Sequence, residues 1–126
     1  VSMPRVLVVD DQPELRLLIS LTLAGEGLEL REAANGAEAL AVSRDWRPHL
    51  VLLDVMMPGM NGYEVCRQIK ADASLNGTIV VLLTAADQAS NRQHGLECGA
   101  DHYFSKPFSP ELLRQLVVNL SAKPAD

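Results

Sequence analysis

The sequence predicts an α/β fold, a doubly wound sandwich whose five-stranded parallel sheet carries helices on both faces. Two observations support this. Short runs rich in Val, Ile and Leu recur as "RVLVVD", "LELREAA", "HLVLLD", "TIVVLLT" and "DHYFSK". Most are near-continuously apolar, as strands buried on both faces are. The longer segments between them carry helix signals, and alternating strands and helices imply a parallel sheet with right-handed crossovers.

The elements follow in order. The first strand, residues 5–10, runs into Asp11–Glu14, a capping box with Pro13 in the first turn, so the first helix starts there. Its Leu15, Leu18, Ile19 and Leu23 can face the sheet, while Leu17 and Leu21 fall on the opposite arc. A helix apolar nearly all round is buried on two sides or binds something. Gly25 marks its end. The second strand, residues 28–34, precedes a helix that closes near Trp46, a packing residue at the sheet margin. The third, residues 49–54, ends in a lone acid, Asp54, followed by a loop in which Pro58, Gly59 and Gly62 suit a sharp turn into the next helix. Gly77 stands before the fourth strand, residues 78–84, and Gly99 closes a helix expected from about Asp87 to Cys98. The fifth strand, residues 101–106, leads through Pro107 to Ser109, Pro110 and Glu111, a strong helix start. In that last helix Leu112, Leu113, Leu116, Val117 and Leu120 form one core stripe, with Val118 exposed off it. Residues 121–126 read as a tail or the start of a linker.

At 126 residues and 48% hydrophobic content the chain suits one domain over 1–126, with a core at about 5–120. The net charge of −5 argues against direct nucleic-acid binding and against an anionic membrane surface, since both call for clustered Lys and Arg. No apolar run approaches a membrane span and the N-terminus lacks a signal-peptide layout, so a cytoplasmic location is expected. Cys66 and Cys98 are too few for a disulfide framework or a zinc knuckle and read as reduced thiols. His49, His94 and His102 are scattered, and Asn91, Arg92 and His94 read as a solvated helix face.

In doubly wound sheets ligands gather at the carboxyl ends of the strands. Here the first strand ends in Asp10 and Asp11, the third in Asp54 and the fourth in Thr84, while the fifth runs into Lys106 and Pro107. Singly, each has a bland role as a cap, turn residue or solvated charge. Together they do not. Three converging carboxylates repel one another unless a cation sits among them, and oxygen-only ligands select a hard divalent ion, with Mg2+ favoured over Ca2+ at a site open to water. A phosphoryl group is the natural substrate of such an ion. Lys106 supplies a point charge and Thr84 a hydroxyl donor for its oxygens, which leaves Asp54 as the nucleophile that forms an aspartyl phosphate.

The pieces "VVDDQPE", "LLDVMMPGMNGYEV", "LLTA" and "GADHYFSKPF" make residues 5–120 resemble the receiver domain of two-component response regulators. The resemblance implies a flavodoxin-like (βα)5 sandwich with strand order 2-1-3-4-5. It also implies a phosphoacceptor in a His-Asp phosphorelay rather than an enzyme in the ordinary sense, one that assists its own phosphorylation and autodephosphorylation. Asp54 would accept phosphate from a histidine kinase or phosphotransfer domain. Asp11, Asp54 and the backbone carbonyl of Met56 would bind Mg2+ directly, with Asp10 helping through water and Mn2+ able to replace Mg2+. Thr84 and Lys106 would hold the phosphoryl group, and the Lys106–Pro107 bond is expected to be cis. Thr84 and Tyr103 match the family's switch pair, which biases a pre-existing equilibrium. The output surface would be the helix from about Asp87 to Cys98, the last strand and the last helix. That surface would serve a downstream effector, a covalently linked output domain or a homodimer. Leu17 and Leu21 are expected to meet the kinase's phosphotransfer helices, and Val118 is a further candidate contact.

Competing functions fit less well. A flavin- or nucleotide-binding protein of this architecture needs a Gly- or Ser/Thr-rich phosphate cradle where this chain has "DDQPE". A phosphotransferase resembling the haloacid dehalogenases needs a second Asp two residues past the acceptor, where Met56 stands. A phosphorylation-independent pseudo-receiver that acts as a docking module is the remaining alternative, although every expected site residue is present. Met56 and Ala86, which flank the site, depart from the polar residues expected of many relatives.

Overall fold

The structure is a computed structural model that describes residues 3–57, 59–85, 98–106 and 109–121. Its elements are β1 (Arg5–Val9), α1 (Pro13–Leu23), β2 (Glu29–Ala33), α2 (Gly36–Trp46), β3 (Leu50–Asp54), α3 (Gly62–Ala71), a 3-10 turn (Ala73–Leu75), β4 (Ile79–Ala85), β5 (His102–Lys106) and α4 (Pro110–Ser121). All strand pairs are parallel, in the expected order β2-β1-β3-β4-β5. The helix expected from about Asp87 lies outside the described residues except at its end, where Cys98 is buried.

Two apolar layers hold the sheet. On one face Leu7, Val9, Val51, Leu53, Val80 and Leu82 meet Leu40 of α2 and Val65, Cys66 and Ile69 of α3. On the other, Val6, Val8, Leu50, Leu52, Val81 and Leu83 meet Ile19 and Leu23 of α1 and Leu113 and Val117 of α4. Central β3 is buried along its whole length, which is why its sequence is continuously apolar up to the acid, and edge strand β2 is largely exposed. Each fully buried Leu or Ile side chain contributes about 1.5–3 kcal/mol through the hydrophobic effect.

Three expectations need correction. The first helix has no capping box: Gln12, not Asp11, is its N-cap and makes no side-chain cap bond, and the Gln12 N–H donates instead to Asp10 Oδ1 at 2.9 Å. Leu18 does not face the sheet but is 44% exposed, since the partly buried flank of α1 belongs to Arg16 and Ser20, which reach Glu32 on β2. Leu112 is 56% exposed instead of core, and Val118 is partly buried instead of exposed, because the buried line of α4 runs through Leu113 and Val117. Other readings hold. Ser109 Oγ accepts from Leu112 N at 3.4 Å at the start of α4, and Trp46 packs at the sheet margin with the Arg31 guanidinium 4.7 Å from its ring. Cys66 and Cys98 are buried thiols, and burial together with the adjoining Cys98 pushes the Cys66 thiol far up, as befits a packing residue. His49 and His102 are exposed, and His49 Nδ1 accepts from Arg5 N at 2.9 Å.

Candidate functional site

The acids stand where parallel strands stop. Asp10 follows β1 and Asp54 closes β3, with the last β1 pair, Val9 and Leu53, bringing the two strand ends level. Asp10 is fully buried, Asp54 is 3% exposed and Asp11 is partly buried. One carboxylate oxygen from each of Asp10, Asp11 and Asp54 lies within 4.8 Å of the others. Three anionic oxygens so close in a mostly buried setting are costly without a counter-charge. Their number, hardness and spacing fit a small divalent cation that completes its shell with water or phosphoryl oxygens, so the donor set passes the chemical test for Mg2+.

The loop after Asp54 packs closely against it. Gly59 takes a left-handed φ of +76°. Gly62 opens α3 against the main chain of Asp54 and Val55: a Cβ there would stand 2.4 Å from Asp54 O and 2.8 Å from Val55 Cα. Gly62 N donates to Val55 O at 3.0 Å, and Asn61 caps α3 by accepting from Glu64 N at 3.0 Å. Val55, Met56, Met57, Gly59 and Asn61 line a cavity of about 480 Å³ beside the acid cluster's loop. Met56 is 73% exposed at its rim.

Thr84 is 6% exposed and follows Leu83, the register partner of Asp54. Lys106 ends β5 in register with Ala85 of β4, which brings its backbone to the same edge of the sheet. The side chain of Lys106, and Pro58, Ala86 and Pro107, lie outside the described residues, as do Asn91, Arg92 and His94. Tyr103 is partly buried on the α2/α3 face, close enough to Tyr63 that, after burial itself, it helps raise the Tyr63 phenol above its ordinary range. Leu17 and Leu21 are 57% and 65% exposed, on a face of α1 turned away from the sheet.

Two contributors escape a reading of residue types. Arg16 donates to the Asp10 carbonyl at 2.6 Å, although nothing in the sequence marks it apart from being a basic residue near a helix start that favours acids. Asn61 is a cap whose only signal is Glu64 three residues on.

Fold and site together define a doubly wound α/β domain with an acid cluster at the carboxyl edge of its sheet, and residues 6–118 match the response regulator receiver domain family. The chain belongs to that family. It is 44% identical over 119 residues to the DNA-binding response regulator MtrA of Mycolicibacterium smegmatis, covering 94% of this chain and 50% of that protein. It is 43% identical over 117 residues to the phosphate regulon transcriptional regulatory protein PhoB of Pseudomonas aeruginosa, covering 93% and 50%. Among solved structures, the Vibrio cholerae chemotaxis protein CheY4 superposes with a TM-score of 0.88 at 34% identity, over 94% of this chain and 99% of that one. The chain thus spans about half the length of the curated relatives it matches. Among the described residues no helix is long and apolar enough to cross a membrane.

Proposed function

We propose that the chain is a phosphoacceptor in a two-component relay, switched by Mg2+-dependent phosphorylation of Asp54. The observation that carries this is the meeting of the Asp10, Asp11 and Asp54 carboxylates within 4.8 Å at the carboxyl edge of the sheet. Asp11, Asp54 and the Met56 carbonyl would hold the ion, with Asp10 helping through water. Mg2+ held there, or Mn2+ in its place, would supply the positive charge that offsets the phosphoryl oxygens. A carboxylate oxygen of Asp54 forms the new P–O bond while the bond from phosphorus to the kinase's histidine nitrogen breaks. Thr84 donates its hydroxyl and Lys106 its ammonium to the phosphoryl oxygens.

Phosphorylation adds about −1.5 to −2 charge at this edge. Thr84 moves toward that charge and Tyr103 follows it inward, which shifts an equilibrium already present in the resting form. The kinase or phosphotransfer domain meets Leu17 and Leu21, while the last strand and its flanking helices, Val118 included, serve an effector, a linked output domain or a second copy. Residues 1–126 act as one cytoplasmic receiver, with its core at about 5–120 and no direct hold on nucleic acid.

Intact mass after incubation with acetyl phosphate tests the reading. One added phosphate is expected with Mg2+ and none after chelation or in Asp54→Asn. Equal labelling of Asp54→Asn would sink the assignment of the acceptor.

A further inference from the structure

Among the described residues, three hydrogen bonds hold Asp10. Its N–H donates to Ala33 O at 3.2 Å, its Oδ1 accepts from Gln12 N at 2.9 Å, and its carbonyl accepts from Arg16 Nη1 at 2.6 Å. The first two bonds involve main chain of other residues. The third comes from a side chain on α1, the helix whose N-cap makes no side-chain bond of its own. Arg16 therefore ties the first turns of α1 to the loop that carries both leading acids.

The same guanidinium has a second anchor. Arg16 Nε donates to Glu32 Oε1 at 3.1 Å, and the other oxygen of Glu32 accepts from Ser20 Oγ at 3.0 Å. The Arg16 side chain is 17% exposed and that of Glu32 is 43% exposed. A planar guanidinium presents Nη1 and Nε to two separate acceptors in a fixed geometry, which the single ammonium of a lysine on its flexible stem does not reproduce. Glu32 also offsets a positive charge that would otherwise stand uncompensated beside a cation site.

We infer that Arg16, held by Glu32, is a positioning residue for the metal site, fixing the Asp10 main chain so that the acid cluster is set before the cation arrives. The inference rests on the reading of Asp10, Asp11 and Asp54 as cation ligands. Arg16 touches neither the ion nor the phosphoryl group. Its effect runs through Asp10.

Calorimetric titration of the full chain with MgCl2 tests this, using the wild type, Arg16→Gln, Arg16→Lys, Glu32→Gln and an Asp11→Asn control. Arg16→Gln is expected to raise the Mg2+ dissociation constant on the order of 10-fold, as loss of groups that orient metal ligands does. Arg16→Lys should recover only part of that loss. Glu32→Gln should weaken binding by a smaller factor that shrinks as salt screens the freed guanidinium. Wild-type Mg2+ affinity in folded Arg16→Gln, whatever its melting temperature, would overturn the inference. Should Arg16→Gln fail to fold, unchanged affinity in Glu32→Gln, a change at a half-exposed residue, would overturn it instead. A wild type that takes up no more Mg2+ than Asp11→Asn would reject the reading of the acid cluster itself, an outcome distinct from loss of Arg16's role alone.

Discussion

At Gly62 the opening turn of α3 comes so close to Asp54 that even a methyl group has no room, because the nearest neighbours of a would-be Cβ are main-chain atoms. None of them belongs to a flexible side chain, so Gly62→Ala must shift either α3 or the acceptor. We expect a loss of about 1–3 kcal/mol, the usual cost of forcing an extra carbon into a packed site, measured by urea unfolding. Labelling of Asp54 by acetyl phosphate should slow as well, and an Ala variant of wild-type stability would refute the tight contact. The loop shows what residue types can and cannot disclose. Pro58, Gly59 and Gly62 read alike as turn residues, yet Gly59 serves by its left-handed backbone and Gly62 by its lack of a side chain, a distinction set by tertiary approach alone. Met56 lies at the rim of the neighbouring cavity and is mostly exposed. Hydrolysis of an aspartyl phosphate needs an oriented water, and a bulky apolar side chain at that rim hinders its approach. Met56→Asn is therefore expected to lose phosphate several-fold faster, followed by mass or by radiolabelled phosphate release; an unchanged or slower rate would count against the idea.

The helix α1 presents Leu17, Leu18 and Leu21 to solvent, three large apolar side chains on one element. Such a face stands out more than scattered exposed leucines do, because it is contiguous along the helix. Changing Leu17 and Leu21 together to Ser should slow phosphotransfer from the cognate kinase at least several-fold while labelling by acetyl phosphate stays unchanged. Equal loss of both would point to a damaged fold and reject the docking role. Periodicity made the inner face of α1 legible at Leu15, Ile19 and Leu23, since these repeat at helical spacing. It erred at Leu18 because the burial arc is set by the neighbours. Arg16 and Ser20 occupy the flank toward β2 through Glu32, which turns Leu18 outward. Leu112 escaped for a similar reason, as α4 settles on the line from Leu113 to Val117. The strand-end acids were legible because alternation of elements brings strand ends to one edge whatever the packing details. Arg16 was not, because its role depends on a main-chain carbonyl, to which no residue pattern refers.

For the whole molecule, the proposed cation site would couple metal binding to folding. Asp10 and Asp11 follow β1 and Asp54 ends β3, so the site exists only when the central sheet has formed, and an ion bound there stabilises the folded state alone. At a free concentration 100-fold above the dissociation constant the gain is about 2.7 kcal/mol. For a chain of this size each kcal/mol corresponds to roughly 3–6 °C of melting temperature. Adding MgCl2 should therefore raise the melting temperature by several degrees, and EDTA should reverse the change. The chain carries a net charge of −5, so general screening must be separated from binding by NaCl at matched ionic strength, which is expected to have much less effect. Asp54→Asn sharpens the test. Its response to Mg2+ should shrink, because one of the three carboxylates that would hold the ion is gone. A variant that still gains as much from Mg2+ as the wild type would mean that Asp54 is not among the groups that hold the cation.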